Sequence, residues 1–166
     1  MEYQFKTRVY NESFLDNNEK ISLTLKQSHK LINVLRMREN DDIIIFNNIY
    51  GEWSAKIKIK KSLIHAECLK KIRDVKKEHG PSLIFSPLKQ ARSDWLIEKA
   101  TECGVENLFP SLMTRTSVRS INIERYKSNA IGAAEQTGRL SIPNIEPLRV
   151  YEDQIKICEK SNKTII

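Results

Sequence analysis

The stretch "RDVKKEHGPS" (residues 73–82) divides the chain by changing its hydrophobic rhythm. Before it, apolar residues recur at every second position in short runs. After it, strand-length apolar runs alternate with segments of helical period. A charged tract broken by Gly80-Pro81 has the composition of an exposed boundary. The expectation is two units, residues 1–74 and 82–166, joined by a linker over 75–81.

The front unit reads as short strands. "ISLTL" (21–25) alternates, "DIIIF" (42–46) is a buried-type run, and "WSAKIKI" (53–59) alternates with Lys56 and Lys58 on its outward face. "LIHAEC" (63–68) continues the pattern. Asn47-Asn48 before Gly51 marks a hairpin. One helical turn interrupts, with Ser28 as its N-cap and Leu31, Val34 and Leu35 on one face. Short strands at this spacing predict a small β-barrel.

The second unit reads strand, helix, strand, helix: "SLIFSP", "SDWLIEKATECG", "VENLFP" and "NIERYKSNAIGAAEQTG". That order predicts α/β structure with parallel strands. Ser93 or Asp94 would cap the first helix and Gly104 would end it, with Leu96, Ala100 and Cys103 on one face and Ile97 beside them. Asn122 would cap the second, whose narrow face (Tyr126, Ala130, Ala133, Ala134) runs to Gly138.

Charge narrows the partner. The chain of 166 residues carries 28 Lys+Arg against 21 Asp+Glu, a net charge of +7. Residues 1–76 hold 15 of the basic and 10 of the acidic residues, so the front unit supplies most of the excess. Cations that neutralise phosphates release counterions, which favours a nucleic acid. A generic basic surface would give the same count, and composition leaves both readings open. No apolar run is long enough to span a bilayer. Cys68, Cys103 and Cys158 are odd in number and far apart. They form neither a disulfide framework nor a metal cluster, and with no signal peptide a reducing cytoplasm is expected.

There is no phosphate-binding loop, no Cys-x-x-Cys and no zinc-protease motif. His29, His65 and His79 lack metal-ligand spacing. What remains are polar groups at strand ends, where open α/β sheets build sites. Ser86, Lys89 and Arg92 follow the first strand of the second unit; Thr114, Arg115, Thr116 and Arg119 follow the second. Such a set can grip phosphate, or it can simply be solvated.

Taken together, "SPLKQARSDWLIEKATECGVENLFPSLMTRTSV", "AAEQTGRLSIP" and "HKLINVLRMRENDDIIIFN" resemble the RsmE-type 16S ribosomal RNA methyltransferases. The resemblance runs in order from Arg8 to about Leu148. It implies a PUA-like RNA-binding barrel followed by a SPOUT-class α/β methyltransferase domain with a knotted C-terminal region. It also implies methyl transfer from S-adenosylmethionine to N3 of a uridine in small-subunit RNA, by a homodimer with sites at the subunit interface. On that reading Arg115 and Arg139 grip RNA phosphate or orient the uracil, and Glu135 is a candidate proton acceptor or a salt-bridge partner of Arg139. Arg8, Lys30, Arg36, Arg38, Lys89, Arg92 and Arg119 contact RNA. The family's glycine-rich cofactor loop has no counterpart here, so the cofactor-binding residues are expected beyond Ile166. "NKTII" (162–166) reads as the opening of a buried strand. The chain is therefore expected to be an incomplete methyltransferase, inactive alone and unable to bind S-adenosylmethionine measurably. The alternatives are a non-catalytic RNA-binding module and a SPOUT enzyme with another RNA target.

Overall fold

The computed structural model describes residues 7–60, 63–76 and 79–160, excepting the side chains of the last two. The chain divides into two compact units, Met1–Lys76 and Lys77–Ile166. Among the described residues no helix is long and apolar enough to cross a membrane.

The first unit is a five-stranded sheet. Its strands are β1 (Arg8–Tyr10), β2 (Lys20–Ser22), β3 (Asp42–Asn47), β4 (Gly51–Lys60) and β5 (Leu63–Arg73), in the spatial order β1-β3-β4-β5-β2. β1 runs parallel to β3; every other pairing is antiparallel. Ile57 stands opposite Ala66, which stands opposite Ile21, and all three are buried in one apolar cluster with Ile43, Ile45 and Leu31. Fully burying one such side chain contributes about 1.5–3 kcal/mol. The hairpin between β3 and β4 is tied by Asn47. Its Nδ2 donates to the carbonyls of Asn11 and Ser13, while its Oδ1 accepts from the amides of Ile49 and Tyr50.

The helical interruption differs from expectation. β2 stops at Ser22 and Thr24 caps α1 (Leu25–His29), its Oγ1 accepting from the Gln27 amide at 3.2 Å. Ser28 is instead buried inside the helix, where its Oγ accepts from the Ile64 amide at 3.1 Å. A hydroxyl at that depth is drawn to a sheet donor rather than to its own helix end. α1 then widens into a π-helical turn (Lys30–Val34). The wider turn changes the angular spacing, so of the predicted face only Leu31 is buried, while Val34 and Leu35 are exposed.

In the second unit β6 (Ser82–Phe85) and β7 (Asn107–Leu112) are parallel and linked by α2 (Gln90–Glu102). α3 (Ile123–Thr137) returns the chain to β8 (Asn144–Ile145), parallel to the start of β7. β9 (Arg149–Val150) pairs with the other end of β7 and leads into α4 (Tyr151–Lys160). The core gathers Phe85, Ile97, Ala100, Leu108, Tyr126, Ala130 and Ile145. α3 follows its predicted signals: Asn122 Oδ1 accepts from the Arg125 amide at 3.0 Å, the alanine face is buried, and Gly138 ends the helix at φ 75°. The predicted α2 face is buried at Ala100 and the neighbouring Ile97, with Leu96 half-buried against the core, and departs from expectation at Cys103. Ser93, Ile97, Ala100 and Thr101 are buried, whereas Cys103 is exposed. α4 is anchored by Gln154, fully buried, whose Nε2 donates to the carbonyls of Pro110 and Pro147.

Candidate active site at the carboxyl edge of the parallel strands

The second unit brings two polar loops to one edge. β6 ends at Phe85 and β7 at Leu112, so residues 86–89 and 113–122 leave the sheet on the same side. Ser86 Oγ lies 2.6 Å from Thr116 Oγ1, and Thr116 Oγ1 also accepts from the Met113 amide at 2.8 Å. One hydroxyl pair thus joins the loops. Ser93 does not cap α2. Its Oγ accepts from the Leu88 amide and donates to the Leu88 carbonyl, both at 3.0 Å, pinning the first loop to the helix. Lys89 occupies the cap position without a side-chain bond.

Between the two helix starts lies a cleft of about 420 Å³, lined by Leu88, Asp94, Val118, Ile121, Arg125 and Tyr126 among others. Its wall is braced across the helices. Arg125 Nε donates to both oxygens of Asp94 at 2.9 and 3.1 Å, and Nη2 donates to Oδ2 at 2.5 Å. Asn129 Nδ2 adds a bond to Oδ1 at 2.7 Å. The Gln90 amide, turned with its oxygen toward the guanidinium, accepts from Arg125 as well. The Arg125 hydrogen bond holds the Asp94 carboxyl below its ordinary range, with Asn129 adding to the effect against the opposing cost of burial. At neutral pH the pair is ionised, so Asp94 positions the helices and is not a proton acceptor.

Lys89, Arg92, Arg115 and Arg119 are exposed and stand in or beside these two loops. Arg139 and Glu135 do not join them. α3 runs back against the direction of β7, because it must deliver the chain to the start of the parallel strand β8. Its last turn, with Glu135, and the Arg139 that follows therefore lie at the amino edge. There the Arg139 guanidinium covers Gly104 and donates to Ser141 Oγ at 3.1 Å. Arg115 and Arg139 are separated by roughly the length of β7, about 17 Å at 3.3 Å per residue.

In the first unit Arg8 is mostly buried, not presented to solvent. Its Nε donates to Glu52 at 2.7 Å and its guanidinium lies 4.0 Å from the centre of the Phe46 ring. Glu52 also pairs with Arg73 at 2.8 Å. Lys30, Arg36 and Arg38 are exposed, and Arg36 takes a left-handed backbone (φ 53°) just after the π-helical turn. Sequence reasoning missed the Asp94–Arg125 brace: the partners are 31 residues apart, and only the capping potential of Asp94 signalled it. Among the described residues no cluster of His, Cys, Asp and Glu could hold a metal.

The chain belongs to the RNA methyltransferase family: the RNA methyltransferase domain matches residues 77–166 and the RNA methyltransferase PUA domain residues 23–67. It is 31% identical over 151 residues to the ribosomal RNA small subunit methyltransferase E of Rickettsia conorii, covering 90% of this chain. It is 32% identical over 155 residues to the protein of that name from Buchnera aphidicola of Acyrthosiphon pisum, covering 87% of this chain. The chain spans 62% and 60% of the length of these two relatives. A crystal structure of the Neisseria gonorrhoeae ribosomal RNA small subunit methyltransferase E, bound to S-adenosyl methionine, superposes with a TM-score of 0.77 at 26% identity. That match covers 89% of this chain and 63% of the other.

Proposed function

We propose that the protein acts in S-adenosylmethionine-dependent methylation of 16S ribosomal RNA in the small subunit, with N3 of a uridine as the acceptor and a SPOUT-type homodimer as the working form. The observation that carries this is the cationic carboxyl edge of β6 and β7, joined by the Ser86–Thr116 hydroxyl pair, in a unit that matches the RNA methyltransferase domain along its length. The cofactor supplies the methyl group when bound. The described residues do not themselves fit as its seat. Among them no buried polar side-chain atom waits for a partner, and Gly51, Gly104 and Gly138 serve turns and helix ends.

The described residues act on the substrate side. Methylating N3 of uracil requires loss of its proton, which leaves negative charge on the ring. A guanidinium held against the ring would stabilise that charge, and this role is assigned to Arg115, exposed in the loop that follows β7. Lys89, Arg92 and Arg119 would hold the flanking phosphates. Because Arg139 and Glu135 lie at the amino edge, they serve the same substrate only from the other subunit of the dimer.

The test uses a chain extended by the cofactor-binding region that the family resemblance puts after Ile166, and reads transfer of labelled methyl from S-adenosylmethionine to 16S ribosomal RNA, with the product base identified by mass spectrometry. Label on N3 of one uridine is expected, and Arg115→Ala should lower the rate by about 100-fold. Absence of label, or label on another atom, overturns the reading. Mixing inactive Arg115→Ala and Arg139→Ala subunits should restore activity if both arginines serve one substrate across the dimer; no recovery rejects that arrangement.

A further inference from the structure

The hydroxyl pair that joins the two loops has a direction. Each hydroxyl offers one proton and two lone pairs. Thr116 is buried, so its proton must reach an acceptor inside the protein. Its oxygen accepts from the Met113 amide at 2.8 Å, and the acceptor it meets among the described residues is Ser86 Oγ, at 2.6 Å. Thr116 therefore donates and Ser86 accepts. The Ser86 proton is left over, with no further acceptor among the described residues.

Backbone geometry holds that direction. The Thr116 amide donates to the Met113 carbonyl at 3.0 Å while the Met113 amide donates to the Thr116 hydroxyl, so residues 113–116 close a turn through both ends of Met113. A hydroxyl whose lone pair is taken by a fixed amide cannot turn its proton elsewhere. Ser86 follows directly on Phe85, which is buried in the core and pairs with Pro110 of β7. Ser86 itself is half-buried, on the edge that carries Lys89, Arg92, Arg115 and Arg119. From amide to hydroxyl to hydroxyl, each donor polarises the next and strengthens the last.

We propose that the Ser86 hydroxyl donates a hydrogen bond to a ring carbonyl oxygen of the pyrimidine being methylated, with Thr116 as the residue that positions its proton. The role rests on the methyl-transfer reading and adds a neutral donor to it. When the N3–H bond breaks, its electron pair stays on the ring and spreads to the two flanking carbonyl oxygens, while the proton leaves to a carboxylate or to water. A hydroxyl bonded to one of those oxygens binds harder as charge builds, which lowers the barrier. Ser86 shares its proton and keeps it. The neighbouring cations already serve phosphate, and an uncharged donor is matched to a carbonyl oxygen.

The experiment uses the extended chain and the uridine identified by the methyl-transfer assay. Ser86→Ala should lower kcat about 100-fold and leave KM for the RNA within about twofold. Ser86→Thr keeps the hydroxyl and should recover most of the rate. Thr116→Val should cost about tenfold, the worth of one hydrogen bond, with Thr116→Ser near wild type. Ser86→Ala/Thr116→Val should be no slower than Ser86→Ala, because Thr116 acts through Ser86. 6-Azauridine in place of the target has a more acidic N3 and needs less stabilisation, so the Ser86→Ala deficit should shrink on that RNA. A deficit confined to KM, an equal deficit on both RNAs, or a slower double variant would overturn the proposal. Amide exchange needs no turnover: Met113 should exchange slowly in wild type and Thr116→Ser and fast in Thr116→Val, and equal rates reject the positioning role. Wild type that labels N3 while Ser86→Ala is undiminished rejects this role alone. Wild type that labels nothing rejects the methyl-transfer reading and the role with it.

Discussion

Gly104 follows α2 at φ 83°, and a Cβ added there would meet Arg139 Nη1 at 2.9 Å. Gly51, at φ 85°, is tighter still, because the atom met is the Arg73 carbonyl oxygen at 2.3 Å, part of the backbone. The two differ in what can yield. A guanidinium at the end of a flexible side chain can move aside, leaving Gly104→Ala mainly with the left-handed backbone cost of about 1–2 kcal/mol. At Gly51 the β4–β5 pairing itself must shift. Urea unfolding should therefore place the Gly51→Ala midpoint below that of Gly104→Ala, with both below wild type; the reverse order would mean that the hairpin relaxes freely. Gly104→Ala also moves the one arginine at the amino edge assigned a substrate role.

At the scale of elements, α2 and α3 are held together by the Asp94–Arg125 fork as well as by their apolar faces. Since Asp94 titrates below its ordinary value near 3.8, the clamp is complete above that value and is lost as the pH falls through the depressed one. Both groups have solvent access, so the contribution is modest. Melting temperature should drop on acidification below about pH 4 in wild type, and Asp94→Asn should remove part of that drop while melting lower at neutral pH. Parallel curves for the two proteins would show that the fork contributes nothing. The cap positions show why helix starts were harder to read than helix ends. Gly104 and Gly138 were legible because a left-handed residue is needed after a helix. Ser28 and Ser93 offered good capping chemistry, yet each was taken by a donor from elsewhere in its unit: the Ile64 amide for one, the Leu88 amide for the other.

Across the whole molecule, each unit carries a buried thiol: Cys68 in the first and Cys158 in the second, with Cys103 exposed. Burial, reinforced by Glu19 and Asp16, pushes the Cys68 thiol up to about 11. A thiol reagent near pH 8 should therefore label Cys103 quickly and the other two only on unfolding, which makes Cys68 and Cys158 reporters of their respective cores. Rapid labelling of all three in the native state would contradict both cores.

The alternation of residues 53–59 and 63–68 and the strand–helix rhythm after residue 82 determined by themselves that there would be a sheet with one wet face and an α/β unit, because side-chain period reflects local backbone geometry. β8 and β9 were illegible: two residues have no period, and each exists only because β7 offers a free edge. The site divided the same way. Lys89, Arg92, Arg115 and Arg119 share an edge as their positions after strands require. Which edge received Arg139, and which carboxylate met Arg125, was decided by the direction in which α3 had to run to deliver a parallel strand. That direction is a long-range constraint, set by the packing of segments far apart in the chain, and no local pattern encodes it.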